Sequence, residues 1–349
     1  MKKPTLGWAA LVAATIVAFY ALDVFLQHVE TAELQNEALG LYKAGEALLA
    51  AGRPVEGAIP LQRAYTLQRK NRTYQLSYAE VLIATGSLEE ADEILNEAIG
   101  QRPNDGRANL LLARLERARN SWDEEAAYYH RAIYGVWHED RQVHVNEARL
   151  EWVRELARRG DRKTLLGELL PLEAATKDAR VLMQIAQYYL EAGTPGRSAN
   201  LYRSLLVSHV DDAVLEKGLG EAETAAGNYT AAQRAFLRAF RANPADQSIR
   251  QQMELSSALS AIDPTPRRLS SREKYERSLR ILILVRNFLI TCGSQSVAVD
   301  KNSALKNPNF SNEAAEQLLH QAELLWQQRP HGCAQPEILT PLMTKLTQP

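Results

Sequence analysis

Two apolar periodicities near 3.6 residues, split by Gly227-Asn228, run through Ala213–Asp246, "AVLEKGLGEAETAAGNYTAAQRAFLRAFRANPAD". This pattern predicts a helix, a tight turn and a second helix. Pro244 ends the second helix because proline has no N–H to donate. The same arrangement occupies Arg72–Asp105, also 34 residues long. In register, Gly86 falls on Gly227, Leu88 on Tyr229, Ala91 on Ala232, Leu95 on Phe236, Ala98 on Ala239 and Pro103 on Pro244. Further copies fit Ala38–Asn71, Gly106–Glu139 and Ala179–Asp212. A poorer one at Asn146–Asp178 follows a short insertion, "DRQVHV", read as part of a solvated loop. Small residues in the first helices, except in the poorer fourth copy, predict close helix approach, with a bulky residue such as Phe236 filling the space beside them.

A 34-residue helix-turn-helix with this spacing resembles the tetratricopeptide repeat (TPR) family. The resemblance covers Ala38–Asp246, although Gly57, Glu125 and Ser198 stand where the second helix usually has Ala. It implies an all-α fold, a right-handed superhelix (α-solenoid) of about six TPR hairpins, 38–71, 72–105, 106–139, 146–178, 179–212 and 213–246. Hairpins of this kind bury their apolar faces only by stacking. Gln247–Ile262 continues the phase with a polar face and is expected to cap the stack. The aromatic residues of the repeats read as packing residues.

The N-terminus carries a different pattern. Lys2 and Lys3 precede an uncharged stretch from Leu6 to Leu22, and extending it past Asp23 to Leu26 gives a helix of about 31 Å, enough to cross a bilayer core. A cleaved signal peptide is the rival reading, but no small-x-small cleavage site follows. The expectation is an uncleaved anchor at 6–26, with residues 1–5 cytoplasmic and 27–37 a juxtamembrane segment. Asp23, Glu30, Glu33 and Glu37 precede Lys43, so the positive-inside rule sends the repeats outside the cytoplasm. The membrane expected for such a scaffold is a bacterial inner membrane, with the repeats on the periplasmic side. An inverted, cytoplasm-facing adaptor is the alternative.

The C-terminal region, 263–349, opens with a linker, Asp263–Ser271. It continues with a long helix that is apolar nearly all round between Leu279 and Ile290, then a loop and an amphipathic helix capped by Ser311 and followed by Pro330. Two cysteines, Cys292 and Cys333, flank these helices. Outside the cytoplasm they can pair; buried free thiols are the other reading, since an antiparallel helix pair would separate them.

A net charge of −1 removes any global drive toward nucleic acid. The chain has no phosphate loop, nucleophile elbow, HExxH or CxxC, so no catalytic residue, cofactor, metal or small-molecule substrate is expected. His138, Glu139, Asp140 and His144 are the nearest thing to a metal set, and a solvated loop is preferred. An enzyme with an unrecognised site in the C-terminal helices is a distant alternative.

The resemblance also implies a concave groove lined by first helices. Its residues here would be Tyr42, Glu46, Leu76, Glu80, Arg107, Leu110, Arg114 and Arg117. It would continue through Glu147, Leu150, Arg154, Arg180, Met183, Gln187, Lys217 and Glu221. The arginine-rich centre suits an acidic peptide or a protein C-terminus, with Leu110, Leu150 and Met183 giving apolar contact. Pairing of those arginines with glutamates of the array is the competing reading. The expected function is a membrane-anchored scaffold for protein or peptide partners in envelope or secretion-type assembly.

Overall fold

A computed structural model describes residues 5–138, 140–292, 310–330, 332–333 and 336–347, apart from the side chains of residues 5–13, 16 and 17. The described residues form sixteen α-helices and no strand. The chain divides into two compact units, 1–152 and 153–349, with the boundary inside α7.

The N-terminal unit contains α1 (Thr5–Ala50), α2 (Pro54–Leu67), α3 (Arg72–Thr85), α4 (Leu88–Gln101), α5 (Gly106–Arg119), α6 (Trp122–Tyr134) and the first part of α7 (Arg141–Arg159). From α1 to α6 each helix packs on the next, and α3 also meets α5. The starts of α3 and α5 follow from their caps. Asn71 accepts from the N–H of Thr73 at 3.0 Å, and Asp105 from that of Ala108 at 2.9 Å. Gly86 closes the α3–α4 turn at φ 85°, where a Cβ would be strained.

One expectation in this unit gains a structural detail and another is corrected. Residues 5–50 form one 46-residue helix, with no break at 26 or 37 to separate a span, a juxtamembrane segment and a repeat helix. No Pro or Gly-based turn falls between Leu6 and Ala38 to stop it. Among the described residues no helix is long and apolar enough to cross a membrane. The expected span, 6–26, includes side chains outside the described set at 6–13, 16 and 17. Phe19, Tyr20, Leu22, Phe25 and Leu26 are exposed, and burial begins at Ala38. The correction concerns "DRQVHV": from Arg141 these residues are the first turn and a half of α7 rather than a loop. Glu139 lies outside the described residues.

The C-terminal unit holds the rest of α7, then α8 (Arg162–Ala175), α9 (Ala179–Glu191), α10 (Pro195–Ser208), α11 (Ala213–Ala225) and α12 (Tyr229–Ala242). It ends with α13 (Gln247–Ile262), α14 (Ser271–Thr291), α15 (Asn312–Gln327) and α16 (Leu339–Thr347). Close approach needs small residues here. A Cβ on Gly220 would lie 2.7 Å from the Phe236 ring, and one on Gly218 would lie 2.4 Å from the Tyr202 ring. Tyr229, Leu259, Tyr275, Ile281, Val285, Leu318, Trp326, Leu342 and Met343 form one buried cluster that joins α12 to α16.

The last two long helices run parallel. Phe310, just before α15, meets Tyr275 near the start of α14, while Trp326 at the end of α15 meets Phe288 near the end of α14. The ends that an antiparallel pair would separate therefore come together, and Cys292 and Cys333 are joined in a disulfide with Cα atoms 6.0 Å apart. The expected linker at Asp263 is also anchored. Asp263 is buried and accepts from Lys345 Nζ at 2.7 Å, while its carbonyl accepts from Arg277 at 2.7 Å. Helix α16 had no counterpart among the expected elements.

Candidate functional site

The N-terminal unit contains a cavity of about 680 Å³ along its first helices. Helix periodicity explains the lining. Tyr42 and Glu46 stand one turn apart on α1, Leu76 and Glu80 on α3, and Arg107, Leu110 and Arg114 share one face of α5. With Glu147 of α7, eight of the expected groove residues thus line one wall system. Arg72, Thr73, Arg102, Asp105, Leu111, Val136, Trp137, His138 and His144 complete it.

Arg72, Arg107 and Arg114 of the lining are matched to carboxylates. Arg107 donates to Glu80 at 3.2 Å and to Ser77 Oγ at 2.9 Å. Arg114 bridges Glu80 at 2.8 Å and Glu151 at 3.0 Å, and Arg117 also donates to Glu151 at 3.0 Å. Tyr129 adds a hydroxyl donor to Glu151 at 2.9 Å. Arg72 pairs with Asp105 at 2.7 Å. The expected basic centre is therefore an ion-pair network, and the bare charge that would draw an acidic peptide is absent from these arginines. Burial alone would raise the Glu151 pKa, but hydrogen bonds from Arg114 and Tyr129, with the charges of Arg114 and Arg117, hold it below the usual carboxylate range. Burial, followed by the negative charge of Glu151, pushes the Tyr129 hydroxyl up.

The far wall comes from the connection between α6 and α7. Val136 exchanges backbone hydrogen bonds with the turn before α5, its N–H to Asn104 O at 2.7 Å and its carbonyl from Gly106 N–H at 2.9 Å. This short bridge carries Trp137 against Gly106, where a Cβ would fall 2.3 Å from the indole. Trp137 stacks on His144, which pairs with Glu147 at 3.1 Å, and His138 meets Arg102 at 3.2 Å. The histidines considered for metal binding are thus wall residues. Among the described residues no group of three His, Cys, Asp or Glu side chains is placed to hold a metal. The sequence signal for this wall is the pairing of Gly106 with an indole thirty-one positions later, which helical periodicity does not encode.

Other expected groove residues lie apart from this cavity. Arg117 is drawn into the Glu151 network, and Leu150 is half-buried on α7. Arg154, Arg180, Met183, Gln187, Lys217 and Glu221 belong to the C-terminal unit. Arg180 is exposed beside Asp178, and Arg154 bonds Tyr188. Glu221 lines a separate cavity of about 370 Å³ with Gly227, Tyr229, Pro341 and Lys345. Burial raises the Glu221 pKa, while the charge of Lys217 opposes the rise.

Residues 48–115 match the family model described as tetratricopeptide repeat. No curated protein matches the sequence significantly. Among solved structures the chain is similar to PilW, a widely conserved type IV pilus biogenesis factor, at 17% identity and TM-score 0.45, covering 61% of this chain and 97% of that one. It is also similar to the TPR2AB domain of yeast Sti1 in its complex with pHSP90, at 15% identity and TM-score 0.30, covering 82% and 98%. These distant likenesses carry nothing about what the chain binds. The family match thus places tetratricopeptide repeat sequence at residues 48–115, within a chain whose described residues form helices and no strand.

Proposed function

We propose that the protein is a scaffold without enzymatic activity that holds a partner protein or peptide in the groove of its N-terminal unit. The observation that carries this reading is the cavity itself, about 680 Å³ and lined by the first helices of successive repeats. That volume lies within the range of ligand-binding clefts. Its neutralised arginines and exposed Thr73 suit a partner segment held by many moderate contacts.

The N-terminal half of α1 serves as a membrane anchor in this proposal, with the repeats outside the cytoplasm and assembly of an envelope complex as the task. Two things favour that side. Lys2 and Lys3 precede the apolar stretch, and a disulfide joins Cys292 to Cys333, as oxidising compartments permit.

A photo-crosslinker at Thr73 in the full chain tests the groove. Capture of a defined partner should be lost when Val136→Trp fills the wall, and capture equal to that from exposed Glu93 on α4 would sink the reading. Alkaline phosphatase fused after Pro349 tests topology, since an inactive fusion contradicts the extracytoplasmic placement.

A further inference from the structure

Glu46 and Arg72 line the groove, and each keeps one buried side-chain atom without a hydrogen-bond partner: Oε1 of Glu46 and Nη2 of Arg72. The neighbouring charges cannot serve them, because they are engaged elsewhere. Arg107 and Arg114 are turned to Glu80 and Glu151, and Glu147 takes His144. Asp105 already accepts from Arg72 Nε, and Arg72 Nη1 reaches the Ala98 carbonyl at 3.2 Å. A carboxylate and a guanidinium, each with one unmatched atom, thus stand in the wall of a single cavity. Both atoms are removed from water, so leaving them unmatched is costly.

Tyr42 adds a third element. It stands one turn before Glu46 on the same face of α1, lines the same cavity, and is held by the Tyr74 ring at 4.9 Å. An aromatic face one turn from a carboxylate is a favourable seat for an organic cation.

We infer that the groove takes an extended segment of a partner protein that sets a lysine or arginine head against Glu46 and a backbone carbonyl against Arg72. This rests on the groove reading and specifies its occupant. It also reverses the charge suggested by the arginine pattern. The arginines consume the carboxylates of Glu80, Glu151 and Asp105, which leaves Glu46 as a wall carboxylate that no arginine neutralises.

The test uses immobilised pools of random nonapeptides whose central residue is fixed as Arg, Gln or Glu, probed with the full-length protein in detergent. The Arg pool should bind about ten-fold or more above the Gln pool, the worth of one charge-assisted hydrogen bond. Glu46→Gln should erase that preference, Glu46→Lys should transfer it to the Glu pool, and Thr73→Trp should weaken every pool. Helical content by circular dichroism checks that each variant folds. Binding that Thr73→Trp blocks, but whose charge preference ignores both Glu46 variants, overturns this inference and leaves the groove reading standing. Binding to no pool, or binding indifferent to Thr73→Trp, overturns both.

Discussion

The two units are built from the same helical hairpins but finish their surfaces in different ways. In the N-terminal unit the first helices meet across polar side chains. Glu80, Arg107, Arg114, Arg117, Tyr129 and Glu151 form a connected network beside an open cavity. In the C-terminal unit helices α13 to α16 extend one apolar cluster from Tyr229 to Met343, and a disulfide fastens its far end. A repeat unit thus has two outlets for its unmatched faces. Polar groups can satisfy one another and leave a groove, or apolar helices can cover the end and seal it.

The largest break in this comparison should come from the disulfide. Its 41-residue separation corresponds to about 4 kcal/mol in the chain-entropy account. Cys292→Ser with Cys333→Ser should therefore destabilise the C-terminal unit by about 2–4 kcal/mol. Denaturant unfolding should show this in Trp326 fluorescence, with Trp122 and Trp152 unmoved.

Glu151→Gln comes next and acts on the other unit. It leaves Arg114 and Arg117 without their shared carboxylate, and partial exposure of these groups puts the loss at about 2–3 kcal/mol. Trp152 lies 4.9 Å from the Tyr129 ring and is the natural reporter. Gly220→Ala should cost about 1–2 kcal/mol, because the clash with Phe236 outweighs the better helix propensity of alanine.

Acid should give the mildest effect. The folded pKa of Glu151 lies below its unfolded value, so its stabilisation is complete above about pH 4.3. It is lost as pH falls through the lowered folded value. Trp152 emission should respond in this range in the parent protein, and Glu151→Gln should remove that part of the response.

Periodicity made the hairpins legible because each copy repeats the same local problem: a cap, a small residue at the crossing, a bulky residue beside it and a turn. Asn71, Asp105, Gly86 and Gly220 each express one part of it. The groove was half legible for the same reason, since residues at matching phases of α1, α3 and α5 do share a cavity. Its other half was not. Trp137 and His144 reach the wall through a backbone bridge between distant turns, and no helical repeat records such a meeting. The charge pattern also misled, because phase places Arg114 on the groove face without revealing that Glu151 arrives from α7 to neutralise it. Parallel packing of α14 and α15 was hidden by the connection between them, whose length permits either direction.

The uninterrupted α1 gives a phase to the whole N-terminal unit. Its residues from Thr5 to Ala50 share one screw axis, and Tyr42 and Glu46 present the groove at a fixed angle on it. One residue inserted between Leu26 and Ala38 would turn that groove by about 100° and lift it by about 1.5 Å relative to whatever grips the start of the helix. Seven inserted residues would nearly restore the bearing at about 10 Å greater height. The helix therefore sets a compass heading as well as a distance, and insertions of different length can tell which of the two the partner requires.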